Sequence, residues 1–310
     1  MQEIKYSFVL PAYKARFFRE AIDSILAQTY KDFELIIVND ASPEDLDSIV
    51  NSYNDSRIRY YVNEQNIGGK DLVAQWNHCL EYAKGEYIIL ASDDDVYFPQ
   101  YLEKMDALVQ KYPEVNIFRP RVQYIDKEGG VEWVGGCIAE KVSPLEYWNF
   151  WGIVGSSIGH IVFKKDELCQ KGGFVNFPMG WGADDAAILM MGSNGICFES
   201  EILYSFRMSG ENISSSLNDY PRLVKKIEAR FIFYKWLKVY IDQFPVKTRL
   251  DGYWRDSAKL SIDNIFQSIT LCLLDNASFS SMLKVLPKLL KIEYISFMVV
   301  MKRTVLKMIK

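Results

Sequence analysis

The stretch Tyr87-Ile88-Ile89-Leu90-Ala91-Ser92-Asp93-Asp94-Asp95 decides the fold. A short apolar run bounded by polar residues reads as a buried strand, and this one ends at three consecutive acids. Just upstream, Leu72, Trp76, Cys79, Leu80 and Ala83 recur at helical spacing between Lys70 and Lys84, and Gly85 is expected to close that helix. Farther back, strands are predicted over residues 6–10, 34–38 and 58–62. A helix after the first strand sets Phe17, Ala21, Ile22, Ile25 and Leu26 on one face, and another is predicted to start at Ser42-Pro43-Glu44. Downstream, Pro99 and the run Leu102, Met105, Leu108 and Tyr112 predict a further helix. Strands alternating with amphipathic helices pack as βα units on a mainly parallel sheet. Three of these strands run directly into polar or turn residues: Pro11-Ala12-Tyr13, Asn39-Asp40 and the acidic triplet. Ligands of such sheets bind beyond the carboxyl ends of the strands, so the acids are expected to converge on one edge.

A chain of 310 residues holds one large α/β domain, or a smaller one with an appendage. Residues 1–125 read as the first half of that domain and 126–220, rich in glycine and aromatics, as its second half. Residues 221–310 read as a helical extension. Ser143 and Glu146 form a predicted capping box with Pro144 at the first helical position. A formal charge of −4 argues against a protein that coats nucleic acid, which needs a positive face. Five scattered cysteines without a C-x-x-C pair read as reduced thiols. With no signal-peptide core and no run of about 18 uncharged apolar residues, the expectation is a cytoplasmic protein.

Two carboxylates about 4 Å apart repel by roughly 4 kcal/mol at an effective dielectric near 20. The triplet Asp93-Asp94-Asp95 therefore calls for positive charge, and a divalent cation that also binds a diphosphate meets that need with few protein ligands. A solvated acidic turn capping the next helix is the alternative. Asp40 reads either as a ligand-facing acid or as an Asx turn before Pro43. Asp184-Asp185 opens a helical run over residues 186–191, where either acid would favour the positive helix end.

The segments Phe8-Val9-Leu10-Pro11-Ala12-Tyr13, residues 21–30, Phe33-Glu34-Leu35-Ile36-Ile37-Val38-Asn39-Asp40, Asn66-Ile67-Gly68, residues 83–88 and the triplet followed by Pro99 occur in this order. Together they resemble the opening of the inverting glycosyltransferase family 2. The resemblance is dense over about the first 115 residues and continues thinly through Gly172-Gly173-Phe174, Asp184-Asp185 and Arg207. It implies a GT-A fold and transfer of a sugar from a nucleotide-diphospho-sugar, expected to be UDP-linked. The acceptor would be a hydroxyl of a glycan or lipid-linked molecule, in cell-surface polysaccharide synthesis, with Mn or Mg as cofactor. By the same resemblance, Pro11, Ala12 and Tyr13 would line the nucleobase pocket and Asp40 would accept from the base. Asp95, with Asp93 beside it, would hold the metal, and Asp93 or Asp94 would reach the ribose. Asp185 would be the general base, with Asp184 in the family's Glu position.

There are departures. Gln75-Trp76-Asn77 stands where the family often has Ala-Arg-Asn, leaving Lys70 as the substitute for a phosphate-facing arginine. Ser209 stands where many members have a histidine, which leaves the third protein ligand of the metal open. His78 reads as structural, and His160 as the histidine closer to the acceptor cleft. Trp133, Trp148, Trp151 and Trp181 read mostly as core, with Trp181 also a candidate for stacking on a sugar. A nucleotidylyltransferase would show a glycine-rich loop after the first strand, and a dinucleotide oxidoreductase G-x-G-x-x-G; neither is present. A non-catalytic sugar-nucleotide-binding protein on the same fold is the rival from another class. In the tail, Lys284, Lys288, Lys291, Lys302, Arg303, Lys307 and Lys310 face a single acid, Glu293, and alternate with Leu283, Leu286, Leu290, Phe297, Val300 and Leu306. That pattern suits a peripheral membrane contact as well as packing on protein.

Overall fold

The computed structural model describes residues 4–210, 212, 220–292 and 295–309. Its residues divide into two compact units, 1–176 with 183–209, and 177–182 with 210–310. The predicted boundary at 125 falls inside the first unit.

In the first unit, β1 (Tyr6–Ala12), β2 (Phe33–Asn39), β3 (Ile58–Val62) and β4 (Tyr87–Leu90) alternate with α1 (Phe18–Leu26), α2 (Leu46–Asn51) and α3 (Leu72–Leu80). β5 (Val96–Tyr97), α4 (Tyr101–Lys111), β6 (Ile117–Ile125), β7 (Val131–Val134), β8 (Lys141–Val142), α5 (Pro144–Val154), β9 (Val162–Lys164), α6 (Lys165–Gln170), α7 (Ala183–Met191) and β10 (Ile196–Arg207) follow. The sheet order is β3-β2-β1-β4-β9-β6-β10-β5, with β7 on β6 and β8 on β10. β3, β2, β1 and β4 pair in parallel, as do β6 and β10, while β9 runs antiparallel between β4 and β6. The sheet is thus mainly parallel and flanked by helices, as the alternating pattern predicts.

β1, β2 and β4 are buried almost throughout, which is why they read as continuous apolar runs. Tyr6, Phe8, Leu35, Ile37 and Ile89 meet Phe18, Ile22, Ile25, Tyr101, Leu102 and Met105 of the helices in one core. The capping box at Ser143 and Glu146 opens α5 as predicted.

Two local expectations fail. α2 begins at Leu46, where the Asp45 carboxylate accepts from Ser48 N–H, because Ser42 and Glu44 are used elsewhere: Ser42 Oγ donates to Tyr13 O and Glu44 accepts from Ala15 N–H. α3 ends at Leu80, before Gly85. A Cβ on Gly85 would lie 2.8 Å from Ser7 N and Oγ, so the glycine serves a close approach of chains rather than a helix cap.

The second unit holds α8 (Tyr220–Gln243), α9 (Arg249–Asn276), α10 (Phe279–Leu289) and α11 (Phe297–Ile309). Within it, Phe177 packs on Phe233 and Trp236, and Met282, Val285, Leu289 and Val300 are buried. Of the tail's apolar residues, Val300 thus faces inward, whereas Leu283 and Leu290 are exposed. Glu293 and Lys310, and the side chains of Phe297, Leu306 and Lys307, lie outside the described residues. No helix among the described residues is long and apolar enough to cross a membrane.

Candidate active site

The ends of β1, β2 and β4 lie together, as the sequence predicts. Asp93 accepts from the backbone N–H of Tyr13 (2.9 Å) and Lys14 (2.8 Å), fastening the loop after β1 to the end of β4. Pro11 is half-buried, Ala12 buried and Tyr13 exposed at this edge. Asp40 is 4 % exposed and already engaged: it accepts from Asn63 Nδ2 (2.8 Å), Ile67 N–H (2.9 Å) and Gly68 N–H (2.7 Å). It therefore folds the 63–68 loop over the end of β2, helped by Ala41 in a left-handed turn (φ 50°). Lys70 is exposed beside that loop.

The three acids separate by environment. Asp95 is fully buried; its carboxylate accepts from Tyr204 O–H and from Arg207 N–H (2.8 Å). Asp94 has Lys14 Nζ at 3.9 Å and Ser209 Oγ at 3.4 Å. Burial first, then the charges of Asp95 and Asp93, push the Asp94 carboxyl up to about 8. Asp95 is raised by burial and opposed by its hydrogen bonds to Tyr204 and Arg207. The expectation that Asp95 holds the metal meets this geometry poorly, because both of its oxygens are committed inward. Asp94 is the acid set beside a lysine and beside position 209, where many family members have a histidine. Among the described residues no three His, Cys, Asp or Glu side chains are grouped to hold a metal. The donor set still fits a cation that takes most of its oxygens from a diphosphate and water.

The second pair of acids sits in the first turn of α7. Asp185 is 6 % exposed and accepts from Trp151 Nε1 at 2.7 Å. Trp151, on α5, stacks on the buried Trp148 with ring centroids 5.7 Å apart, which fixes the indole that orients the carboxylate. Asp184 accepts from Ser156 Oγ at 3.1 Å, and burial raises its carboxyl against that hydrogen bond and the backbone N–H groups of the helix start. Trp151 thus joins Asp185 to the buried Trp148, a link that nothing in its sequence spacing announces.

Other expected residues fall elsewhere. His160 is fully buried against Tyr204, with ring centroids 5.5 Å apart, so it does not reach a cleft, and burial lowers its pKa. Trp181 belongs to the second unit, where Lys226 Nζ and Arg230 Cζ lie 4.9 and 4.3 Å from its ring. Trp133, expected in the core, is 42 % exposed. Lys14, which the sequence reading passed over, stands three residues after Pro11 on the same loop as Tyr13.

Comparison with known proteins agrees with this arrangement. The model of the family described as Glycosyl transferase family 2 matches residues 7–157. An uncharacterized glycosyltransferase of Rickettsia typhi is 41 % identical over 106 residues, 34 % of this chain and 32 % of its own; the match thus spans about a third of that relative. Among solved structures, residues 1–349 of Staphylococcus aureus TarS in complex with UDP-GlcNAc superpose with a TM-score of 0.60 at 17 % identity, covering 90 % of this chain and 80 % of that one. The mannosyltransferase PcManGT from Pyrobaculum calidifontis, with GDP-Man and Mn2+, gives a TM-score of 0.56 at 14 % identity, over 91 % and 74 % of the two chains. Both share the fold, a GT-A sheet with a helical extension. Residues 7–157, which build the strand ends described above, are thus similar to glycosyl transferase family 2 over nearly half of the chain.

Proposed function

We propose that the chain is an inverting, metal-dependent glycosyltransferase that moves a sugar from a nucleoside-diphospho-sugar to a hydroxyl of a glycan or lipid-linked acceptor. The observation that carries this reading is the pairing of two acid sites in the first unit: Asp93-Asp94-Asp95 at the end of β4, and Asp185 held by Trp151. UDP is the expected nucleotide, by analogy with TarS; the loop after β1, Asp40 and the 63–68 loop would hold it. Asp94 rather than Asp95 would take the metal, with Ser209 or water completing its coordination. A divalent cation there supplies positive charge to the departing nucleoside diphosphate. Lys14 adds its own positive charge beside Asp94.

Asp185 accepts the proton of the acceptor hydroxyl as that oxygen attacks the anomeric carbon. The new glycosidic C–O bond forms on the face opposite the breaking bond to the diphosphate, so the configuration inverts. The proton ends on Asp185 and the bonding electron pair on the nucleoside diphosphate. The hydrogen bond from Trp151 orients the Asp185 carboxylate for that step. Polysaccharide synthesis is the proposed setting. A peripheral membrane contact would rest on Leu283 and Leu290, exposed among Lys284, Lys288 and Lys291.

The test is release of nucleoside diphosphate from UDP- and GDP-sugars with manganese. Wild-type protein should release it slowly without acceptor, and chelation of the metal should abolish release. A protein that binds these donors but releases nothing under any metal or acceptor condition is instead the non-catalytic member of the fold.

A further inference from the structure

Three aromatic rings stand in register across β7, β6 and β10. Trp133 pairs with Tyr124, and Tyr124 with Phe206, with ring centroids 5.0 and 5.3 Å apart. The row ends at Trp133, whose indole is 42 % exposed, and Ile153 (54 %) and Met208 (42 %) are exposed as well. An exposed indole held in a row of aromatic rings offers an apolar face to a ligand.

The shelf is rigid for identifiable reasons. Gly136 N–H donates to Ile153 O at 2.8 Å, tying the end of β7 to the end of α5. A Cβ on Gly135 would lie 2.4 Å from Val154 O, and one on Gly155 (φ 70°) 2.8 Å from the Trp133 ring, so both glycines permit backbone and indole to meet closely.

Its position relative to the second acid pair is also defined. Tyr124 O–H donates to Ser156 O (3.2 Å), and Ser156 Oγ donates to Asp184 (3.1 Å). Burial, and then the charges of Arg119, Asp184 and Asp185, act on the Tyr124 hydroxyl, whose pKa is pushed up to about 12.

We propose that Trp133, backed by Tyr124, is a stacking platform for a pyranose ring of the acceptor. The axial C–H bonds of a pyranose carry partial positive charge and lie flat on the electron-rich face of an indole. A platform one serine away from Asp184-Asp185 holds the acceptor chain where its hydroxyl reaches Asp185. This rests on the glycosyltransferase reading above, and it assigns acceptor affinity to a residue outside the donor site.

The experiment uses the full chain with manganese, UDP- and GDP-sugars, and p-nitrophenyl α- and β-pyranosides of glucose, galactose, mannose and N-acetylglucosamine as acceptor probes. Nucleoside diphosphate release is measured with and without each probe, for wild type, Trp133→Ala and Trp133→Phe. In parallel, 5-fluorotryptophan is incorporated, and the resonance missing from Trp133→Ala is followed as pyranoside is added.

The expected result is a probe that stimulates release and moves the Trp133 resonance. Its KM should rise about tenfold in Trp133→Ala and recover to within about threefold of wild type in Trp133→Phe, with probe-independent release unchanged. Stimulation with the same KM in Trp133→Ala overturns the platform alone, as does a resonance unmoved by every probe while donor release proceeds. Absence of release under all conditions overturns the catalytic reading, and the platform with it.

Discussion

The two acid sites of the first unit are built in opposite ways. The triplet after β4 is sorted by its neighbours: Asp93 takes two backbone N–H groups, Asp95 takes Tyr204 and Arg207, and Asp94 stands beside Lys14 and Ser209. In the pair on α7, Trp151 donates to Asp185 and Ser156 to Asp184. Mutually repelling carboxylates held rigidly suit a cation that comes and goes. A buried carboxylate oriented by an indole N–H suits a proton transfer. The difference teaches that a run of acids in sequence is not one ligand but several, sorted by the donors that the tertiary fold supplies.

The sharpest test of that division is Asp185→Asn. Asparagine keeps the shape but accepts no proton at neutral pH, so turnover should fall by about two to four orders of magnitude while donor affinity, followed by calorimetry, changes little. Asp184→Asn should cost about 1 kcal/mol of stability at most and leave the rate nearly intact. An inactive Asp184→Asn beside an active Asp185→Asn would exchange the two roles.

Within the triplet, Asp94→Asn should weaken manganese-dependent UDP binding by roughly a hundredfold, since even outer-shell partners of metal ligands are worth 10–100-fold. Asp95→Asn should instead lower the melting temperature, because Tyr204 and Arg207 N–H lose a charged acceptor worth about 1.5–3 kcal/mol. If Asp95→Asn proves the metal-blind variant, the expectation drawn from the family resemblance returns.

Trp151→Phe removes one hydrogen bond and keeps the stack on Trp148. Turnover should drop by roughly tenfold with donor binding unchanged, the value of about 1.4 kcal/mol. An unaltered rate would mean that Asp185 is oriented by the helix alone.

The two sites should also differ in pH dependence. Asp94 is raised to about 8 in the folded chain, so the folded state holds a proton that the unfolded chain releases near pH 4. Metal-free protein should therefore lose stability as pH rises from about 4 to 8, with a slope of at most about 1.4 kcal/mol per unit for this group. Manganese with UDP should flatten that slope, since the cation takes the place of the proton. Thermal melts across this range, with and without both ligands, measure it.

The strands and the edge they share were legible in the sequence because burial on both faces and polar termination are written locally, in runs such as Tyr87–Leu90 followed by the triplet. Ile58–Val62 and the capping box at Ser143 were equally plain. The division of labour among Asp93, Asp94 and Asp95 was not, because neighbouring residues at a strand end point in different directions and their partners come from residues 13–14 and 204–209. Trp151 and Trp133 have the same composition signal; only packing on Trp148 for one and exposure at the edge of the sheet for the other separates an orienting donor from an open indole. What the sequence determined by itself was the family resemblance of its first half, the parallel sheet and the stock of acids. Which donors each carboxylate meets was decided by the tertiary structure, since residues far away in sequence set the field at each oxygen.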